Sequence, residues 1–451
     1  MAGQTNEREV ILDILLDIDK EKTYSHIAIS ETLRNYQFLD KKVRAFITRV
    51  VEGTVEYQLR LDYMLNQFSK IKINKCKPVI RNLLRMTAYQ ICFLQQVPDS
   101  AACNEAVKLA KKRGFSSLSG FVNGVLRNLS RQKEEIVYPE EAKDPVKYLS
   151  IFYSMPEWIV KEWLAVYDYE TVKTMLKTFL EENQTTIRCN TSKIKKEELK
   201  QRLEEEGITV TPCEYVEEAY HISNYNYMQK IKAFKEGLFQ VQDQSSMLVV
   251  KTAMPEQGNK VIDVCAAPGG KSFHCAEELK GTGLVIARDV TDYKVQLMEE
   301  NLKRTEYQNI RIEKQDALSF VKEDEKTADL VIADLPCSGL GILGKKNDIK
   351  YKMSKEQQKE LVALQREILS VVWKYVKVGG TLLYSTCTIN QEENEENRKW
   401  ILENLPFEPV SLDSALPDAL KSETTKDGYL QLLPGIHKCD GFFIAKFTRK
   451  S

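Results

Sequence analysis

The first third of the chain carries apolar residues at helical spacing, with polar residues between them. This spacing puts the apolar side chains on one face of a helix, which then packs into a core. Breaks at Pro98 and Gly114 separate the helical segments. We therefore predict an all-α bundle over residues 1–137. The segments with this pattern are 10–18, 43–55, 78–94, 101–112 and 121–129.

The pattern changes twice along the rest of the chain. Residues 138–235 mix helical and strand-like segments, which predicts a small α+β connector. Residues 236–451 alternate short β-rich runs with longer helical ones, which is typical of a Rossmann-like α/β domain around a parallel sheet. The connector candidates are helices at 158–166 and 195–205 and strands at 186–189 and 208–210.

Composition excludes several classes of protein. The 451 residues are 43% hydrophobic, and no stretch approaches the apolar run of about 20 residues that a membrane helix needs. The N-terminal segment Met1–Glu9 is polar, so we expect neither secretion nor a membrane anchor. Ten cysteines without a Cys-x-x-Cys pair, beside four histidines, predict no disulfide framework and no metal site. A reducing cytoplasm fits best.

The charge is unevenly distributed although its net value is zero. Residues 70–133 contain 13 Lys and Arg but only two acids, Asp99 and Glu105. Such a segment can lie on the phosphates of a nucleic acid. Solvated helix faces are the alternative, and the sequence leaves both interpretations open.

A turn of small residues follows the first predicted strand of the α/β region. Residues 260–271 read KVIDVCAAPGGK, and Gly269 and Gly270 let backbone amides and a helix N-terminus approach a polar ligand. The spacing is neither that of a P-loop nor Gly-x-Gly-x-x-Gly, so the turn alone does not identify the ligand. The turn consists of Cys265, Ala266, Ala267, Pro268, Gly269, Gly270 and Lys271.

Two acids follow later strand candidates. Asp289 comes after the apolar run 284–287 and lies 19 residues beyond Gly270. At that distance a carboxylate accepts hydrogen bonds from ribose hydroxyls in doubly wound folds. Asp316 follows the third strand candidate, where a side chain can meet an adenine amino group. Two alternatives remain open: Asp289 or Asp292 caps the next helix, and Asp316 belongs to a turn.

Two cysteines come just after two further strand candidates. Residues 329–334 lead to Cys337, and residues 381–384 lead to Cys387. Open α/β sheets bind ligands at the carboxyl ends of their strands, and neighbouring strand tips lie about 5 Å apart. We therefore expect both thiols in one pocket. The alternative is an inert, buried cysteine, which we expect for the other eight.

Methyl transfer to C5 of a cytosine is a reaction that uses two such thiols. C5 is a poor nucleophile, and addition of a thiolate at C6 turns it into an enamine carbon. Asp334, three residues before Cys337, can protonate ring N3 or orient the base. Afterwards the C5 proton leaves and the thiol is eliminated, which gives a second thiol a role. The base must leave its stack to react.

These motifs resemble those of the RNA cytosine-C5 methyltransferases, and in particular of the bacterial enzymes that modify small-subunit ribosomal RNA. The likeness covers nearly the whole chain, because the front helices are similar to a NusB-like domain. The motifs of the α/β region are CAAPGGK at 265–271, DLPCSG at 334–339, YSTCT at 384–388 and DGFF at 440–443. The front motifs are LRMTAYQI at 84–91, NEAVKLAK at 104–111 and FVNGVLRN at 121–128.

The resemblance implies S-adenosylmethionine as the cofactor and a role for each matched residue. In this family the Thr-Cys cysteine is the nucleophile and the Pro-Cys cysteine assists release, so Cys387 would attack and Cys337 would release the product. Asp289 would bind the ribose, Asp316 the adenine, and Asp334 would lie beside the methyl donor. The implied cofactor-binding residues are Cys265, Ala266, Ala267, Pro268, Gly269, Gly270, Lys271, Asp289, Asp316 and Asp334.

The resemblance also implies a partner, small-subunit ribosomal RNA, with the front helices binding RNA. We expect a monomer that does not bind a membrane. Two alternatives remain open: the same chemistry on transfer RNA or another RNA, and an RNA-binding assembly factor without catalysis. The chain departs from the family pattern at Leu335, Leu340, Gly344, Asn347 and Arg288.

Overall fold

The computed structural model describes residues 6–21, 23–181 and 184–450, and the first five residues of the polar N-terminal segment lie outside that part. The chain divides into two compact units. The first contains Met1–Glu181 and Leu343–Lys352, and the second contains Glu182–Ile342 and Met353–Ser451. Among the described residues, no helix combines the length and apolar character needed to cross a membrane.

The first unit is helical, as the apolar spacing predicts for residues 1–137. In its first helix Val10, Ile11 and Ile14 lie on the buried face. Pro78 stands in the first turn of the fifth helix, where its missing N–H costs no hydrogen bond. The helices are α1 (Glu7–Glu21), α2 (Ser25–Arg34), α3 (Lys41–Glu56), α4 (Gln58–Phe68), α5 (Pro78–Phe93), α6 (Asp99–Lys112), α7 (Ser119–Gln132), α8 (Pro145–Phe152), α9 (Glu157–Leu164) and α10 (Tyr169–Thr178).

The second unit begins with a small antiparallel sheet flanked by helices, which confirms the predicted α+β connector. Its strands are β1 (Thr185–Cys189), β2 (Thr209–Pro212), β3 (Ala219–Ser223) and β4 (Phe239–Val241). They pair in the order β2-β3-β1-β4. Apolar side chains from the sheet and its first helix share one core. The helices are α11 (Lys196–Glu205), α12 (Lys232–Lys235) and α13 (Gln244–Ala253).

A larger mixed sheet with intervening helices forms the rest of the second unit, which confirms the Rossmann-like prediction. Its strands are β5 (Lys260–Asp263), β6 (Leu284–Asp289), β7 (Ile310–Lys314), β8 (Ala328–Asp334), β9 (Val376–Thr386), β10 (Phe407–Pro409), β11 (Tyr429–Leu432) and β12 (Phe442–Arg449). The helices along this stretch of chain are α14 (Gly270–Glu278), α15 (Asp292–Thr305), α16 (Ile349–Lys352), α17 (Lys355–Val372), α18 (Glu395–Asn404) and α19 (Glu423–Lys426). Of these helices, α16 belongs to the first unit.

The order of this sheet is β10-β12-β9-β8-β5-β6-β7, with β11 beside β12. Strands β5 to β9 pair in parallel, and the last three strands pair antiparallel. β9 begins at Val376, before the predicted start at Thr381. The sequence pattern missed this first part of the strand because Gly379, with φ +76°, interrupts the run of apolar residues. The parallel arrangement brings the carboxyl ends of β5, β6, β8 and β9 to one edge.

Candidate active site

Cys337 and Cys387 lie side by side beyond the carboxyl ends of β8 and β9. These strands pair with Asp334 opposite Ser385, and the two Sγ atoms are 3.4 Å apart. The hydrogen bond with Cys387, together with burial, raises the pKa of Cys337 well above its usual value. Either sulfur can be the donor in this contact. The structure thus brings the two cysteines of the sequence motifs together.

Asp334 is held beside the thiols by two side chains. Its Oδ2 accepts a hydrogen bond from Lys271 Nζ at 2.6 Å, and its Oδ1 accepts one from Ser385 Oγ at 2.8 Å. Burial opposes the charged form of Lys271, but Asp334 more than offsets this and raises the pKa of the lysine. The Phe442 ring centroid lies 5.2 Å from the same ammonium. Lys271 is therefore a fixed cation that orients Asp334.

The predicted cofactor turn follows β5 directly. Ala266 N donates to Arg288 O, and Gly269 N donates to Ala266 O, which closes a tight loop in front of α14. Gly269 has φ +101°, and a Cβ there would lie 2.3 Å from the Phe273 ring. Only glycine therefore fits at this position. Burial raises the pKa of Cys265 strongly, so its thiol stays protonated.

Asp263, at the end of β5, is a functional candidate that the sequence reasoning missed. Its side chain is fully buried, and burial raises its pKa to about 7. Ser272 Oγ donates to Oδ2 at 2.6 Å, while Oδ1 has no partner among the described residues. A buried acceptor of this kind fits a ligand amino group, such as that of S-adenosylmethionine. The sequence did contain a signal for Asp263, because an acid at the end of an apolar strand, just before a glycine turn, is a candidate ligand-binding residue.

Asp289 lies at the end of β6, against the turn. Its Oδ2 accepts from Ala267 N at 3.1 Å, and its Oδ1 accepts from Val290 N at 2.8 Å and Lys294 Nζ at 3.0 Å. The cap of α15 is Thr291, so neither of the acids considered as caps fills that position. The carboxylate of Asp289 therefore fixes the turn relative to β6.

Asp316 follows β7 on the surface. Its Oδ1 accepts from Leu318 N at 2.9 Å, which is the turn geometry considered in the sequence. Gln315 N donates to Asp289 O, so the chain before Asp316 is tied to the end of β6. This contact keeps both acids at the same edge of the sheet.

Arg288, which departs from the family pattern, has a structural explanation. Its buried guanidinium donates to Glu313 Oε2 at 2.8 Å and also to Asp324, whose other oxygen accepts from Lys260 Nζ at 2.7 Å. The Tyr375 ring centroid lies 5.8 Å from the guanidinium. Arg288 therefore joins β6 to β7 and to the segment before β8. Buried charges persist only when they are paired in this way.

The other residues that depart from the family pattern lie close to Cys337 in the sequence or follow it. Leu335 and Leu340 are buried, so both fill apolar space. Asn347 belongs to the first unit, where its Nδ2 donates to Glu52 O at 3.2 Å and its Oδ1 accepts from Ser25 Oγ at 3.4 Å. Asn347 thus fastens the segment Leu343–Lys352 to helices of that unit. Gly344 lies in the same segment.

One cluster in the second unit has the composition of a cation site. Ligand atoms of Glu218, His274 and Glu278 lie within 4.8 Å of one another. The ammonium of Lys251 already lies 2.5 Å from Glu218 and 2.7 Å from Glu278. The cluster is therefore explained as a partly buried network of ion pairs.

The positive charge of residues 70–133, in the first unit, is neutralised by ion pairs to a greater extent than the two acids within that segment indicate. Six of its 13 cations form ion pairs, three of them with acids of α1. Four exposed lysines between α4 and α5 have no described ion pair: Lys70, Lys72, Lys75 and Lys77. These four define the lysine loop, which presents one sign of charge to solvent.

The sequence matches three family descriptions in chain order. These are the NusB family over residues 5–131, the "Methyltr_RsmF/B-like, ferredoxin-like domain" over 155–228, and "16S rRNA methyltransferase RsmB/F" over 250–448. The matches correspond to the α1–α7 bundle, the connector and the larger sheet.

Relatives match over nearly the full length. "Probable ribosomal RNA small subunit methyltransferase B" of Bacillus subtilis (strain 168) is 36% identical over 450 residues, which is 99% of each chain. The protein of the same name from Synechocystis sp. is 32% identical over 98% of this chain and 99% of its own. The crystal structure of PH0851 has the same fold, with a TM-score of 0.82 and 24% identity across 99% of both chains. The chain therefore belongs to the ribosomal RNA small subunit methyltransferase B family of S-adenosylmethionine-dependent methyltransferases.

Proposed function

We propose that this protein methylates C5 of a cytosine in small-subunit (16S) ribosomal RNA, and that Cys387 forms a covalent bond to C6 of that cytosine during the reaction. The observation that carries the proposal is the 3.4 Å contact between the thiols of Cys337 and Cys387. Either sulfur can be the donor in this contact, and whichever thiol donates its proton stabilises the other sulfur as a thiolate. The choice of Cys387 as the nucleophile follows the role of the Thr-Cys cysteine in the family.

The proposed reaction begins with addition to the base. Cys387 Sγ bonds to C6, and Asp334, oriented by Lys271 and Ser385, binds the N3 and N4 edge of the ring. Bound S-adenosylmethionine supplies an electrophilic methyl group, which C5 accepts. The C5 proton then leaves to a base, the bond between Cys387 and C6 breaks, and the C5=C6 double bond is restored. Cys337, in contact with the departing sulfur, assists this last step.

We assign cofactor binding to the turn 265–271 together with Asp289, Asp316 and Asp334. The sharp turn at Gly269 and the fixed carboxylate of Asp289 support this assignment. The unpartnered oxygen of Asp263 adds a further acceptor. All of these residues end or follow strands whose carboxyl ends share one edge of the sheet, where doubly wound folds bind nucleotides.

We assign RNA binding to residues 1–137 and catalysis to residues 236–451, with residues 138–235 as the connector. The exposed lysines of the lysine loop support the first assignment, because phosphate binding needs cations that are not already paired. We further propose that the protein acts as a cytoplasmic monomer. The ten free cysteines suit a reducing compartment.

Labelled methyl transfer tests the function directly. Purified protein with methyl-labelled S-adenosylmethionine should label small-subunit ribosomal RNA, and nuclease digestion should release the label as 5-methylcytidine. Labelling of transfer RNA in preference to ribosomal RNA would mean that transfer RNA is the substrate, while the proposed cytosine-C5 chemistry would still hold. Absence of label in both RNAs, with properly folded protein, would support a non-catalytic assembly factor and end the enzyme proposal.

A further inference from the structure

We propose that a cavity in the first unit binds an unstacked nucleobase of RNA through an N–H donor on the Watson–Crick edge of that base. The inference rests on the proposed function, because it assumes that the first unit binds RNA. The cavity is partly open and has a volume of about 200 Å³. A single water molecule needs only about 10–15 Å³ of such space. All of the residues that line the cavity belong to the first unit.

Part of the wall of this cavity suits the flat faces of a base. Leu15 and Ile18 of α1 and Val55 of α3 line it, and each is at most 9% exposed. Tyr351 lines it as well. The Tyr351 hydroxyl donates to Glu56 O at 2.9 Å, so the part of this side chain that remains for a ligand is the aromatic ring. Unstacked bases pack on aromatic and apolar side chains.

The charged side chains of the cavity balance one another. Two acids and two basic residues line it, and each forms an ion pair with an N–O distance of 2.7 or 2.8 Å. A phosphate ion or a metal ion would add a charge that these paired residues do not compensate. The walls therefore favour a neutral ligand, and the bases of RNA are neutral at physiological pH. The pairs are Asp19 with Arg81, Arg85 with Asp62, and Asp348 with Lys352.

One carboxylate oxygen at the cavity accepts no hydrogen bond. Asp348 is 2% exposed, and its Oδ2 accepts from Ser25 N at 2.8 Å and from Lys352 Nζ at 2.7 Å. Its Oδ1 has no hydrogen-bond partner among the residues that the structure describes. A buried acceptor without a donor costs free energy, so a ligand that supplies an N–H there is favoured. Every RNA base carries such an N–H on its Watson–Crick edge, and in adenine it is the amino group.

The cavity lies close to the lysine loop. Lys77, the last lysine of that loop, directly precedes α5, and Asn82 and Arg85 of α5 line the cavity. Asn82 follows Lys77 by five positions, which corresponds to a rise of about 7.5 Å along a helix. A single strand whose phosphates contact the lysine loop can therefore place one of its bases in the cavity. Single-stranded RNA is commonly bound through cations on its backbone and contacts to its splayed bases.

Binding of two single-stranded RNAs tests this inference without cofactor. One strand contains only adenosine, and the other, of equal length, contains only purine riboside, which is adenosine without its amino group. The strands carry the same phosphates, so their contacts with the lysine loop are the same. Fluorescence anisotropy with the full-length protein should show about tenfold tighter binding of the adenosine strand, because the other strand lacks the hydrogen bond to a charged acceptor. Equal affinities would overturn the inference.

Asp348→Asn exchanges the free acceptor for a donor. Ser25 N and Lys352 Nζ hold an oxygen in the position of Oδ2, so the new amide NH₂ takes the position of Oδ1. The preference for the adenosine strand should therefore fall from about tenfold to about one. Asp40→Asn, the matched control, removes the same charge from an exposed position of the same unit and should keep the preference. A preserved preference in folded Asp348→Asn would overturn the inference.

The same assay separates RNA from a free nucleoside. Free adenosine should compete only weakly with the adenosine strand, because it lacks the phosphates that contact the lysine loop. If it bound as tightly as the strand, the cavity would be a nucleoside site and the inference would be overturned. The comparison in the wild type needs no variant, so it decides the inference even if Asp348→Asn fails to fold. Equal binding of both strands by protein that methylates ribosomal RNA would overturn this inference alone and leave the proposed function intact.

Discussion

Lys271 Nζ lies 2.6 Å from Asp334 Oδ2, and this ion pair joins the turn after β5 to the end of β8. The same carboxylate accepts from Ser385 on β9, so one side chain connects three parts of the active-site edge. Lys271 belongs to the predicted cofactor turn, yet its ammonium contacts the residue predicted to act on the base. The proposed cofactor site and the proposed base site are therefore adjacent.

Lys271→Met should lower the rate of methyl transfer far more than it weakens substrate binding. The variant keeps the length of the side chain but removes the cation that orients Asp334. Loss of one preorganised electrostatic partner typically costs about 10²–10³ in kcat. Single-turnover methylation at saturating RNA measures this effect. Lys280→Met, just beyond the end of α14, is the exposed control and should react at the wild-type rate.

The two cysteine variants should fail in different ways. Cys387→Ala lacks the proposed nucleophile and should show neither methylation nor a covalent complex. Cys337→Ala can still form the bond to C6 but lacks the thiol that assists release. It should therefore accumulate a protein–RNA adduct that survives denaturing electrophoresis. An adduct with Cys387→Ala and none with Cys337→Ala would reverse the two roles.

Asp263 should make the protein less stable as the pH rises from about 4 to about 7. Its folded-state pKa is raised to about 7 from the ordinary value of 3.8. In this window the folded protein keeps a proton that the unfolded chain has released, so the free energy of unfolding falls with pH. Below the window both states are protonated, and above it both are ionised, so the effect is then constant.

Asp263→Asn removes this titration and should gain stability relative to the wild type between pH 5 and pH 8. The relative gain should be about 1–3 kcal/mol, because each unit of pKa shift corresponds to about 1.4 kcal/mol. Urea denaturation at the two pH values measures it. Asp316→Asn, at an exposed acid, should show no such change. Parallel pH profiles for wild type and Asp263→Asn would show that burial does not hold the proton.

The strands that build the site could be predicted because buried parallel strands are nearly continuous apolar runs. Residues 329–334 and 381–384 fall within β8 and β9, and each run ends just before a cysteine. The proximity of the thiols followed from this order, once the two strands were taken as neighbours. The roles of the two thiols did not follow, because spacing says nothing about which sulfur holds the proton.

Residues that act through long-range contacts could not be predicted in the same way. Glu393 reaches Ser338 across 55 positions, and Arg288 reaches Asp324 across 36. In the sequence Glu393 stands in an acidic run before a helix, which is typical of an exposed N-terminus. The segment Leu343–Lys352 likewise gives no sign that it joins the first unit. These contacts depend on the completed fold.

The lysine loop should contribute to RNA affinity through phosphate contacts. Lys72→Gln/Lys75→Gln removes two exposed cations between α4 and α5 that form no ion pair with any residue the structure describes. Each lost contact should reduce the slope of log K against log salt by about 0.7–0.9. The double variant should therefore bind ribosomal RNA more weakly at low salt and approach the wild type at high salt. Filter binding or fluorescence anisotropy across a salt series measures both quantities.

Lys108→Gln/Lys112→Gln is the matched control for this experiment. It removes the same charge from the same unit, but Lys108 already pairs with Glu105 and Lys112 with Glu9, each at 2.7 Å. A cation that is compensated by a nearby acid releases fewer counterions when it meets a phosphate, so the slope should change less. Equal losses in both double variants would show that RNA responds to the net charge of the unit. The lysine loop would then have no special role in binding.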